Sequence, residues 1–145
     1  MIVIINGPNL NLLGERNKSI YGNIDFDYYF NKVITKEFNK LNIIYKQSNH
    51  EGEIIDLLHR FGNDKKCEGI VLNAGAYTHT SLAISDAIEA VKNSVIEVHI
   101  SNIFAREEIR KQTLIAKHCI GTISGFGLPS YLLAIQLLSK IKEWS

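Results

Sequence analysis

The chain has 145 residues, 46% of them apolar and 21% charged, with a formal net charge of +1 at neutral pH. That length suits one domain able to bury a substantial core, and the composition is that of an ordinary globular protein. The near-neutral balance lacks a basic stripe, which argues against nucleic acid as a partner, and no apolar run is long enough to cross a bilayer. Lys65-Lys66 and Arg110-Lys111 read as solvated faces. Cys67 and Cys119 lie far apart without metal-ligand spacing, so two free thiols in a reducing cytoplasm are expected. The N-terminus shows no basic segment followed by an apolar one, and no repeat or linker divides the chain. We therefore expect one cytoplasmic domain spanning residues 1–145.

Met1 to Ile5 is an unbroken, β-branched apolar run, the mark of a strand covered on both faces inside a parallel sheet. Asn6-Gly7-Pro8 ends it. From Asn9 to Gly22 no period persists, and a loop of that length at the C-terminal end of a buried strand is where open α/β sheets bind ligands. Asp25 is placed to cap a helix whose stripe is Phe26, Phe30, Val33, Ile34, Phe38 and Leu41. Asn42 to Gln47 reads as a second strand. Ile54, Ile55, Leu58 and Phe61 mark a second helix, stopped by Gly62-Asn63.

Gly69 to Leu72 is a third buried strand delivering Asn73 to His79. Thr80 or Ser81 caps the next helix, with Ile84, Ala87, Ile88 and Val91 as its stripe. Val95 to Ile100 is a fourth strand carrying Glu97, His99 and Ser101 at its end. Arg106 to Gln112 suggests a short helix and Cys119 to Ser124 a fifth strand. Ser130 to Ile141 is a helix apolar nearly all round, which implies cover on several sides, including from another subunit. The alternation predicts right-handed crossovers and an α/β, flavodoxin-like, five-stranded parallel sheet of order 2-1-3-4-5 with helices on both faces. Its switch point, between strands 1 and 3, would gather the first loop, the Asn73 turn and the end of strand 4.

The candidate chemistry sits at that edge. Arg16 and Tyr21 lie five residues apart. A free tyrosine titrates near pH 10, roughly, and a fixed guanidinium beside it would make a usable base. On composition alone, a solvated arginine and a packing tyrosine is the simpler reading. Glu97 and His99 point to one sheet face, so the carboxylate can orient an imidazole able to protonate a leaving group. A structural histidine is the competing reading. Asn73, His79 and Asp86 can hydrogen-bond several hydroxyls, His79 and Asp86 sharing a helical face if the helix already includes His79. Asp86 also reads as a first-turn acid answering the helix dipole. The backbone of Ile100 and Ser101, with the Ser101 hydroxyl, can receive a carboxylate, and Arg110 can supply charge. The glycines form neither a dinucleotide fingerprint nor a phosphate loop, and His79, Asp86 and His99 match no metal-ligand spacing.

Asn6-Gly-Pro-Asn-Leu-Asn-Leu-Leu-Gly14 with Arg16 and Tyr21-Gly22 resembles the opening of the type II 3-dehydroquinate dehydratases. Gln47 to Glu53, Leu72 to Ser81, Glu97 to Asn102 and Ala105-Arg-Glu107 resemble that family's later blocks in order. The resemblance implies dehydration of 3-dehydroquinate to 3-dehydroshikimate in the shikimate pathway, by a lyase without cofactor or metal. It implies Tyr21 as base at C2, Arg16 as its activator, an enolate, and His99 with Glu97 protonating the C1 hydroxyl. Asn9 would hold a water or donor at the enolate oxygen, and closure of the Arg16 loop would exclude solvent. Asn73, His79, Asp86, Ile100, Ser101 and Arg110 match the family's substrate contacts. A homododecamer of trimers is implied too. Phe104, Lys111-Gln-Thr113 and Leu128-Pro-Ser130 depart from the family pattern. A flavodoxin-like module binding an anion or flavin is the alternative, and it leaves the gathering of Arg, Tyr, Glu and His unexplained.

Overall fold

The computed structural model describes residues 1–15 and 23–144, with side chains through Ile141. Five parallel strands, β1 (Ile2–Asn6), β2 (Ile43–Gln47), β3 (Gly69–Asn73), β4 (Val95–His99) and β5 (Gly121–Ser124), form one sheet in the order β2-β1-β3-β4-β5. This is the flavodoxin-like arrangement the alternation predicts. β1, β3 and β4 are buried along their whole length, as expected of strands covered on both faces.

Successive side chains leave a strand on opposite faces, and that rule divides the core in two. Ile2, Ile4, Val71, Ile96 and Val98 pack with the first helix, α1 (26–37), and the last, α4 (Pro129–Trp144). Val3, Ile5, Ile70, Leu72 and Val95 pack with α2 (Glu51–Gly62) and α3 (Leu82–Ala90). Asp25 caps α1, its carboxylate accepting from the Tyr28 N–H at 2.7 Å. Ser81 caps α3, its hydroxyl accepting from the Ile84 N–H at 2.9 Å. Among the described residues no helix is long and apolar enough to cross a membrane.

Four local expectations change. α1 is not uniform: an α-turn, Phe26–Tyr29, widens to π-type bonding at Phe30–Ile34 and closes with Thr35–Glu37, short of Leu41. The segment after β1 is not free of regular structure, because Leu10–Leu12 makes a 3₁₀ turn and Leu10 and Leu13 are buried in the core. Residues 106–112 hold only a 3₁₀ turn at Glu108–Arg110. β5 begins two residues later than its sequence suggests, at Gly121.

Two glycines bring the ends of β1 and β3 together. A Cβ on Gly7 would sit 2.5 Å from the Ala74 carbonyl oxygen, and Gly75 has a φ of +59° against the Pro8 carbonyl. The Gly7 N–H donates to the Asn73 carbonyl at 2.7 Å. Because backbone cannot yield as a side-chain tip does, Gly7→Ala should lower stability by about 3 kcal/mol in urea unfolding. Gly52→Ala, at an open position in α2, should instead raise it by about 0.5 kcal/mol.

Candidate functional site

A cleft opens at the C-terminal ends of β1, β3 and β4, lined in part by Asn9, Asn73, His79, His99, Ser101 and Arg110. Ile100 also lines it, as do Pro8, Gly75 and Arg106. Of the expected site residues, the structure therefore gathers Asn9, Asn73, His79, His99, Ile100, Ser101 and Arg110. Glu97 lies directly beneath. Asp86 does not line this cleft: it is exposed on α3, whereas His79 ends a separate 3₁₀ turn, Gly75–His79. The seven-residue spacing fails because Thr80 and Ser81 break the helical path between them. Arg16 and Tyr21 lie outside the described residues.

The centre of the site is a buried carboxylate. Glu97 is fully enclosed, and its Oε1 accepts from His99 Nε2 at 2.7 Å and from the Thr113 hydroxyl at 2.9 Å. Its Oε2 accepts from the Thr122 hydroxyl at 3.0 Å. Thr122 is the direct cross-strand neighbour of Glu97 on β5. Burial alone would push the carboxyl up. The His99 hydrogen bond and charge, with the two threonine hydroxyls, outweigh it and hold the group below the ordinary carboxylate range.

Both imidazoles are oriented by groups that can only accept. Glu97 takes the Nε2 proton of His99, which leaves Nδ1 for a ligand in the cleft. The Gln112 carbonyl takes the Nδ1 proton of His79 at 2.6 Å, which leaves Nε2 for the cleft. The two rings lie nearly parallel, with centroids 6.3 Å apart and planes 20° apart. One short segment, Gln112-Thr113, thus fixes His79 through its carbonyl and Glu97 through its side chain.

On the other wall Asn9 has a φ of +67°, which asparagine tolerates better than most residues. Its N–H donates to the Asn49 side-chain oxygen at 2.9 Å, and the Gln47 amide donates to the same oxygen at 3.1 Å. Arg110 donates to Glu107 at 2.7 Å beside the mouth. Arg106, whose Nε lies 3.8 Å from Glu107, is a second cation on that rim that sequence reasoning quoted only within a motif. Thr113 and Thr122 were also missed, since no spacing rule links a strand carboxylate to hydroxyls 16 and 25 residues away.

Neither cysteine supplies a nucleophile, because burial pushes both thiols up, Cys119 to about 12. Among the described residues no three His, Cys, Asp or Glu side chains come together as metal ligands would. The arrangement is therefore a set of fixed proton donors and acceptors facing a cationic rim, suited to holding a polyhydroxylated carboxylate and moving a proton.

Residues 1–139 match the family Dehydroquinase class II. The chain is 54% identical over 142 residues to a 3-dehydroquinate dehydratase of Caldicellulosiruptor saccharolyticus, with 97% of each chain covered. It is similar to the crystal structure of a type II dehydroquinase from Butyrivibrio crossotus, with a TM-score of 0.88 and 47% identity, covering 95% of this chain and 96% of that one. It also resembles the type II dehydroquinase of Propionibacterium acnes, with a TM-score of 0.90 and 35% identity over 96% and 95% of the two chains.

The lowered Glu97 carboxyl has a consequence for acid stability. A carboxyl with a depressed folded value contributes stability in full above its ordinary value of 4.5, and loses it as pH falls through the folded value. Glu97→Gln should therefore be less stable than the parent at pH 7, with the gap narrowing as pH drops below about 4.5. Melting temperatures of both proteins across that range check this. A constant gap at every pH would contradict the pairing.

Proposed function

The chain belongs to the class II dehydroquinases, and from that premise we propose that it eliminates water from 3-dehydroquinate to give 3-dehydroshikimate, a carbon–oxygen lyase step of the shikimate pathway. The observation that carries this reading is the enclosed Glu97–His99 pair, which aims one defined imidazole nitrogen into a cleft rimmed by Arg106 and Arg110.

Loss of water from a hydroxyketone needs a base for the proton beside the carbonyl and an acid for the departing hydroxyl. In this reading Tyr21 removes the C2 proton, and Arg16 stabilises the phenolate and the charge that grows in the transition state. The C2–H electron pair moves into an enolate. Its collapse expels the C1 hydroxyl, which leaves as water with the proton from His99 Nδ1, while Glu97 holds the ring in place. Asn9 keeps a water or donor against the enolate oxygen. Asn73, His79, Ile100, Ser101 and Arg110 bind the hydroxyls and carboxylate of the substrate, and Asp86 is included on the family resemblance alone. The reaction so written uses no metal and no cofactor.

The same resemblance supports a homododecamer built from trimers. The chain has apolar surface to cover along β5 and the outer side of α4, where Phe104, Ile120, Phe126, Leu133 and Leu137 are exposed.

Mixing purified protein with 3-dehydroquinate should produce the absorbance of a conjugated enone, undiminished by a chelator. Tyr21→Phe, Arg16→Ala and His99→Ala should each lower kcat by about a hundredfold or more while melting cooperatively. Near-normal turnover in Tyr21→Phe would remove it as the base, and light scattering that reports a monomer would remove the assembly.

A further inference from the structure

α4 reaches under the sheet with one polar contact that packing alone does not require. Asn6 and Asn73 end β1 and β3, are direct register partners, and leave the sheet on its α1/α4 face. Between them sits the hydroxyl of Tyr131, wholly buried in the first turn of α4. It accepts from the Asn73 side-chain amide at 2.8 Å and lies 2.8 Å from Asn6 Oδ1. The Tyr131 ring is held independently, against Phe26 at a centroid distance of 4.7 Å.

The direction of every bond in this chain follows from its ends. The Gly75 N–H can only donate, and it lies 3.2 Å from Asn73 Oδ1. The Asn73 amide nitrogen is therefore the atom that faces Tyr131, and the tyrosine must send its own proton to Asn6. Asn73 is thus gripped at both polar atoms. One N–H and one carbonyl lone pair remain unassigned on a side chain that lines the cleft. Among the described residues, the Gly75 contact would be the one restraint left on the amide without the tyrosine hydroxyl.

We propose that Tyr131 is a positioning residue for substrate binding: anchored by Asn6, its hydroxyl fixes the Asn73 amide so that it offers the hydroxyls of the substrate one donor and one acceptor in a single orientation. This rests on the reading of the cleft as a 3-dehydroquinate site. An oriented contact to hydroxyls that persist from ground state to transition state acts on binding rather than on the chemical step.

The test is steady-state kinetics with 3-dehydroquinate on the full chain, Tyr131→Phe, Asn73→Ala and the double variant, each checked for cooperative melting. Tyr131→Phe should raise KM roughly fivefold with kcat within about twofold, and should raise KM no further once Asn73 is alanine. A folded Tyr131→Phe with the parent's KM overturns the proposal, as does the same rise in both backgrounds, which is what a purely structural role gives. Should Tyr131→Phe fail to fold, Asn6→Leu decides: loss of the acceptor should raise KM in the same direction, and an unchanged KM overturns the proposal. A parent chain inert toward 3-dehydroquinate would defeat the functional reading instead. The side-chain amide resonance of Asn73 then judges the relay, shifting in Tyr131→Phe if the hydroxyl holds it and staying in place if it does not.

Discussion

The enclosed carboxylate of Glu97 is the constraint around which the site is arranged. An ionised carboxylate taken out of water is costly unless charge and hydrogen bonds replace the lost hydration, and removal of one partner of a buried pair typically costs about 3–5 kcal/mol. Glu97 therefore needs three donors at once. They come from three places in the chain: His99 on β4 itself, Thr122 on β5, and Thr113 in the connection between them. Satisfying the charge pins the edge strand, the connection and the imidazole to one another. The same connection then fixes His79 through the Gln112 carbonyl. A demand of electrostatics in the core thus becomes order at the surface, where two imidazoles are held in fixed orientations.

What the sequence discloses and what it hides follow from the range of each interaction. Glu97 and His99 are legible because a strand has a period of two, so their pairing needs no other part of the chain. The sheet order is legible because buried β-branched runs alternate with amphipathic helices. His79 and Asp86 mislead because a 3₁₀ turn and a following helix carry the same residue types as one longer helix, with just Thr80 and the N-cap Ser81 between them. The π-type stretch at Phe30–Ile34 is hidden because Phe26, Phe30, Val33 and Ile34 have the spacing of an ordinary α-helix, whereas the structure buries Tyr29 and Ile34, five residues apart. Tyr131 is hidden most completely: in an apolar helix a tyrosine reads as filling, and its partners lie 58 and 125 residues away.

The two faces of the sheet contribute differently to the cleft. Glu97 and His99 leave β4 toward α2 and α3, with Val95, whereas Asn6 and Asn73 leave β1 and β3 toward α4. The buried carboxylate and its imidazole are thus supplied from one layer and the pair of amides from the other. Neither layer could supply both, since each strand places only every second side chain on a given face. They meet because strand order reverses between β1 and β3, so the connections leaving those strands diverge and expose both strand ends. Gly7 and Gly75 then draw the two ends close enough for one ligand to touch both sets. A larger residue at either position would push the two strand ends, and the side chains they carry into the cleft, apart. The chemistry of the cleft therefore depends on two positions that carry no chemistry themselves.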